Sequence, residues 1–319
     1  MLRPLDRRRW LTLGAVAAAG LAGCASMAPA GYERGPVSAL ADARELTQVP
    51  FHPQEDYQCG PAALATVLQY AGADRTPEQL VDQVYIPQRQ GSLQPEMLAA
   101  TRRAALLPYR LTPSAQALLA EVAAGRPVLV LQNLRWDWMP QWHYAVVVGY
   151  DLSAGTVVLR SGTERRLVMP VGEFDRSWRR AERWAFVALP PEVLPAQPRE
   201  ADYVAAAAAL ERVVPASGQR AYETALSAWP KNLFARIAMG NAAYRQGRLP
   251  AALAAYRQAT VDHPDAADAW NNLAQVLHEL RQPQPALAAA QRAVALGGPR
   301  LAAYEATLAG IRGGASTAP

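Results

Sequence analysis

Gln54-Glu55-Asp56-Tyr57-Gln58-Cys59-Gly60-Pro61-Ala62-Ala63-Leu64-Ala65-Thr66-Val67-Leu68 is the stretch whose reading decides the fold of the middle of this chain. From Pro61 to Tyr70, Leu64, Val67 and Leu68 recur at helical spacing, with Ala71 continuing the stripe and Gly72 ending it. Cys59 sits at the junction before that helix. A thiol there faces unsatisfied N–H groups and the positive end of the helix dipole, and both favour the thiolate, which is the nucleophilic form. The chain has only one other cysteine, Cys24, so a disulfide scaffold and an all-cysteine zinc site are excluded. Four histidines, His52, His143, His263 and His278, leave little material for a metal centre, and none is expected.

Downstream of this helix the pattern is helical and then extended. Thr76-Pro77-Glu78 reads as a helix start, with Thr76 as cap and Pro77 at the first helical position. Further helices are expected at Gln94–Leu106 and at Pro113–Ala124, the second stopped by Gly125. Short β-branched runs separated by turns follow: Pro127–Gln132, His143–Tyr150, Thr156–Arg160, Arg166–Met169 and Trp184–Leu189. This order predicts an α+β domain, a helical half packed on an antiparallel sheet. His143 opens the most apolar of these strands, far downstream of Cys59. Imidazole can take the thiol proton and later return it to a leaving amine, so the pair fits a cysteine hydrolase. Three tryptophans, Trp136, Trp138 and Trp142, crowd the segment just before His143. They read either as an aromatic plug on the sheet edge or as a wall of a substrate cleft, with Trp138 and Trp142 as the substrate-binding candidates. His52 receives no role.

Residues 54–68 resemble the start of the family C39 peptidases, papain-like cysteine proteases known for cutting double-glycine leaders from bacteriocin precursors. The family's second motif, a histidine beginning a hydrophobic strand that ends in glycine, is similar to His143-Tyr144-Ala145-Val146-Val147-Val148-Gly149. The resemblance runs from the first motif through the last of the expected strands. It implies Cys59 as nucleophile, His143 as general base and acid, and Gln54 as oxyanion donor beside the Cys59 N–H. Two departures stand out. The family's glutamine lies one position earlier, where this chain has Pro53, so Gln54 serves from a shifted position, with Gln58 as the alternative. The family's imidazole-orienting carboxylate or amide is replaced by Ser161, which can accept an imidazole N–H but cannot stabilise an imidazolium as an anion does. Asp151, Asn133 and Glu164 are substitutes the sequence leaves open.

Residues 1–23 carry a basic segment (Arg3, Arg7, Arg8, Arg9), an apolar run from Trp10 to Leu21, and small residues after it. The run is too short to span a bilayer. Leu21-Ala22-Gly23-Cys24 resembles the lipobox of bacterial lipoproteins, which implies lipidation at Cys24 and, with Ala25 following, an outer-membrane address facing the periplasm. Removing this segment takes Arg3, Arg7, Arg8, Arg9 and Asp6 with it, and the net charge falls from +5 to +2. No strong basic field remains, so nucleic acid is not an expected partner.

The last third repeats. Pro230 recurs as Pro264, Tyr222 as Tyr256, Ala225 as Ala259 and Ala252 as Ala286, always at the same interval. That interval, about 34 residues, with small residues at fixed positions, resembles the tetratricopeptide repeats. The clearest units are 233–266 and 267–300, with a degenerate unit over 199–232. Small residues let antiparallel helices approach closely, and the stacked pairs make a surface for a protein partner.

The fold expected is therefore an α+β papain-like cysteine peptidase domain plus an all-α tetratricopeptide-repeat solenoid. The divisions expected are a signal peptide over 1–23, a tether over 24–48, the peptidase domain over 49–190, a linker over 191–198, the repeat module over 199–310 and a disordered tail over 311–319. The activity expected is peptide-bond hydrolysis by a membrane-anchored enzyme, without cofactors: no glycine loop of the G-x-x-x-x-G-K type is present for ATP. The alternatives are a catalytically weak peptide-binding scaffold, and a papain-like acyltransferase or amidase.

Overall fold

The computed structural model describes residues 40–53, 59–89 and 91–315. The strands are β1 Ala43–Glu45, β2 Tyr85–Ile86, β3 Gly91–Ser92, β4 Leu107–Arg110, β5 Val128–Asn133, β6 Trp142–Asp151, β7 Thr156–Ser161, β8 Glu164–Pro170 and β9 Ala185–Leu189. The helices that accompany them are α1 Cys59–Tyr70, α2 Pro77–Val84, α3 Gln94–Arg103, α4 Ala115–Ala123 and α5 Val171–Arg179. A helical array follows: α6 Glu200–Glu211, α7 Pro215–Ala228, α8 Leu233–Arg245, α9 Leu249–Asp262, α10 Ala267–Glu279, α11 Pro283–Leu296 and α12 Leu301–Ala315.

Among the described residues, one seven-stranded antiparallel sheet organises the first half, in the order β4-β9-β5-β6-β7-β8. β1 completes it by pairing with the far end of β6, where β5 has stopped (Ala43 opposite Asp151, Glu45 opposite Gly149). The short β2–β3 ribbon stands apart. β5 and most of β6 are buried along their whole length, so they read as continuous apolar runs rather than as alternating ones. Helix α1 is buried from Gly60 to Leu68 and packs on β6. The Thr76 cap forms as expected: its hydroxyl accepts the Gln79 N–H and the Gln79 side chain accepts the Thr76 N–H, a reciprocal capping box with Pro77 behind it.

Several boundaries differ from the expectation, each for a local reason. Helix α3 stops at Arg103 rather than Leu106, because Ala105 turns into the left-handed region (φ 63°) and Leu107–Arg110 becomes the edge strand β4. Residues 43–48, read as the end of a tether, belong to the folded domain. Their Ala-Arg-Glu strand has no apolar alternation, yet Leu46 and Val49 beside it are buried. Helix α5 interrupts the strand series, with Trp178 fully buried and its indole N–H donating to the Trp184 carbonyl. The stretch read as a disordered tail from 311 starts inside α12, where Ile311 is buried.

The repeat helices start at Leu233 and Ala267, at the heads of the two registers read from the repeat period. Gly240 shows why a small residue is required there. A Cβ on it would lie 2.5 Å from a ring carbon of Tyr256, which sits on the neighbouring helix and is itself buried. Gly240→Ala is expected to cost about 1–3 kcal/mol by overpacking, read as a fall in the thermal midpoint of the helical signal. One hydrophobic core runs from Leu46 through the sheet, α6 and α7, and on to Ala238. A second begins at Ala243 and ends at Ile311. The break between cores lies inside α8, not at residues 191–198. That segment is tied down, with Val193 buried, the Tyr203 hydroxyl donating to the Pro191 carbonyl, and the Arg199 N–H donating to the Tyr109 hydroxyl.

Candidate active site

Cys59 is the first residue of α1, so its N–H and that of Gly60 have no acceptor within the helix, and Pro61 has no N–H. Gly60 has no room for a side chain: a Cβ would fall 2.1 Å from the Ser92 hydroxyl oxygen, so β3 lies directly over the start of α1. The backbone N–H groups of Tyr144, the residue after His143, of Gly60 and of Cys59 itself lie near enough to the thiol to act against its desolvation. The end of α1 that bears the thiol thus meets the start of β6.

The thiol's acidity departs from the expectation drawn from helix position. Burial pushes the Cys59 thiol up from its ordinary value, and the three N–H groups offset this only in part. Burial likewise pulls the His143 imidazole down, with no carboxylate contributing. Both shifts favour the uncharged form of the group, thiol and imidazole alike. Among the described residues no hydrogen bond links the two side chains. Such bonds tighten on substrate binding in many enzymes.

His143 Nε2 lies 2.8 Å from the Ser161 hydroxyl oxygen at the end of β7. Of the other residues the sequence leaves open as orienters, Asn133 is buried and committed elsewhere: its side-chain oxygen accepts the Arg135 and Gln141 N–H groups and its amide reaches the Trp136 carbonyl. Asp151 stands at the far end of β6, where it accepts from Ser153 and the Ala154 N–H. Glu164 is exposed at the start of β8. Gln54 and Gln58, the oxyanion candidates, and Cys24, the lipidation candidate, lie outside the described residues.

The tryptophan segment is a hairpin tip pinned from below by Asn133. Trp136 and Trp138 stack with ring centres 5.7 Å apart, and Trp138 is 78% exposed, so the aromatics do not plug the core. Trp142, half exposed, immediately precedes His143.

Residues that sequence reasoning passed over also shape the site. The Tyr144 hydroxyl donates to the Ser92 carbonyl, fastening β3 beside Cys59. Arg160, buried, donates to the Arg165 carbonyl at 2.6 Å and toward the Val49 carbonyl at 3.5 Å. It thereby braces both the Ser161 turn and the segment that leads to Cys59. Gln132, opposite His143 across the β5–β6 pair, donates its amide to Ser177 at 2.7 Å. The available signal for Arg160 and Gln132 was a polar residue inside an otherwise apolar strand.

Residues 46–185 match the model of the Peptidase C39 like family, and residues 237–307 match a tetratricopeptide-repeat model. Among solved structures, one described as a candidate C39-like peptidase from Bacillus anthracis is 19% identical, with a TM-score of 0.40 over 47% of this chain and 98% of that one. No curated protein matches the chain. The chain thus carries a C39-like peptidase domain, built on an α+β sheet fold, followed by a helical region with tetratricopeptide repeat.

Proposed function

We propose that this protein is a cysteine peptidase that hydrolyses peptide bonds through Cys59 and His143, is held to the cell envelope by a lipid on Cys24, and uses its repeats to recruit a protein partner or substrate. The observation that supports the reading is the packing of α1 on β6, which brings the Cys59 end of the helix to the Tyr144 N–H, next in the chain to a His143 bonded to Ser161. With Nε2–H donated to Ser161, Nδ1 is the free base. It takes the thiol proton as sulfur attacks the scissile carbonyl, and the oxyanion forms against the Cys59 N–H and Gln54. The proton then passes to the leaving amine. Water, deprotonated by the same nitrogen, hydrolyses the thioester and returns the free thiol. Trp138 and Trp142 supply an aromatic wall for the substrate on the His143 side.

The test is a comparison of new peptide termini produced from a peptide library by the protein and by its Cys59→Ala variant. Termini generated equally by both sink the proposal. Incorporation of radiolabelled palmitate, lost in Cys24→Ala, checks the anchor; label retained in that variant overturns it. The second reading, a peptide-binding domain with weak catalysis, is favoured by the hydroxyl where the family has a carboxylate or amide. It predicts peptide binding without turnover.

The directions of the two shifts give the pH dependence this reading expects. His143 must be neutral to act as base, and burial lowers its pKa, so kcat/KM is expected to rise with pH through a midpoint below the ordinary imidazole range. Burial moves the Cys59 titration upward, away from neutrality, so the profile is expected to be flat there. Iodoacetamide labelling without substrate should correspondingly climb only at a pH above that of an ordinary free thiol. A labelling rate that saturates in the acid range would indicate a preformed thiolate–imidazolium pair instead.

A further inference from the structure

A cavity of about 470 Å³ opens between α9 and α11, over the face of α10. Its floor is apolar: Trp270, Leu273 and Leu277 from α10, and the short side chains of Ala288 and Ala289 from α11. The Trp270 indole N–H is already committed to the Pro264 carbonyl, so the ring offers its apolar body and needs no further polar partner. On the rim stand two cations, Arg257 from α9 and Arg292 from α11. Arg292 donates only to the Pro264 carbonyl, and neither arginine pairs with a carboxylate among the described residues. Elsewhere in the helical region Arg220, Arg245 and Arg300 are each neutralised by an acidic side chain.

From this we infer that the α9–α11 cavity is a docking site for an acidic segment of another protein, one bulky apolar side chain entering the cavity and flanking carboxylates pairing with Arg257 and Arg292. The volume suits a drug-sized or single aromatic group, burial of such a ring supplies the larger part of the affinity, and the guanidinium forks fix its orientation through charge-assisted pairs. The inference deepens the reading of the repeats as a recruiting module and does not depend on catalysis.

The full chain carrying Cys59→Ala, so that no probe is cleaved, is titrated by calorimetry with the capped peptide Glu-Glu-Phe-Leu-Glu, its Lys-Lys-Phe-Leu-Lys counterpart, and the acidic peptide with alanine in place of phenylalanine. The acidic phenylalanine peptide is expected to bind at least tenfold tighter than either of the others. Ala288 is exposed, so Ala288→Trp plugs the cavity without disturbing the core, and should weaken binding at least tenfold with the thermal midpoint unchanged. Arg257→Glu with Arg292→Glu should reverse the preference toward the lysine peptide. No binding of the acidic peptide, equal affinity for the alanine peptide, or affinity unchanged in both variants overturns the inference. Peptidase activity surviving any of these outcomes leaves the reading of Cys59 and His143 intact.

Discussion

Cys59→Ala and His143→Ala should each lower kcat/KM for peptide hydrolysis by at least about a thousandfold. Neither should change the far-ultraviolet circular dichroism or the thermal midpoint by more than a small amount. Both side chains sit at element ends and are only partly exposed, Cys59 packing against the main core from its rim. The double variant should be no worse than either single one, because nucleophile and base act as one unit. Ser161 behaves differently. It holds the imidazole through one neutral hydrogen bond, so Ser161→Ala costs orientation alone, roughly tenfold or less by the scale of general acid–base effects. Ser161→Asp would put an anion within hydrogen-bond reach of Nε2. It should raise the His143 pKa, shift the acid limb of the pH profile upward, and increase kcat if the native hydroxyl limits turnover. A pH profile unmoved by Ser161→Asp would mean that this serine does not orient the catalytic imidazole.

The second large effect concerns stability. Glu121 of α4 and Arg126 form an ion pair with both side chains 1% exposed, and the other Glu121 oxygen accepts the Ala196 N–H at 2.7 Å. Burial raises the Glu121 pKa while Arg126 and the Ala196 N–H oppose it, so charge and environment pull against each other. Glu121→Ala removes the anion and leaves a guanidinium buried without it, which should destabilise by about 3–5 kcal/mol. The same change frees the segment around Ala196. Chemical denaturation should therefore show a lower midpoint, and protease should cut between 191 and 198 in the variant under conditions where the parent resists. A Glu121→Gln variant, which can still accept the Ala196 N–H, should retain resistance there while losing part of the stability. Loss below about 1 kcal/mol for Glu121→Ala would show that Arg126 finds compensation elsewhere.

The parts of this architecture that depend on local rules could be read from the chain directly. The Thr76-Pro77 start, the central apolar strands and the repeat period each encode their element in neighbouring residues. The α1–β6 meeting was legible only through resemblance, because several helices and four strands separate Cys59 from His143 and no spacing rule joins them. β1 was not legible at all: a short segment, mostly charged, is a strand only because β6 outruns β5 and leaves backbone groups to pair. The acidity of Cys59 was misjudged for a related reason. Helix position is a sequence property, but the burial that outweighs it comes from β3 and β6 packing over the helix start. Ser161 stood out as a departure in the sequence, whereas Asn133 could not be separated from it until its bonds to the hairpin backbone were known.

The continuous core from Leu46 to Ala238 makes the first repeat helices a rigid bracket rather than a tethered appendage. A partner seated farther along the array is then presented at a set span from Cys59, with no flexible spacer to average over. Flexible linkers deliver many segments of a bound chain at declining local concentration. On the proposed activity a bracket would act as a gauge: the cut would fall a fixed reach from the docked segment, and inserting one helical pair into the array would move the cut along the substrate rather than abolish it.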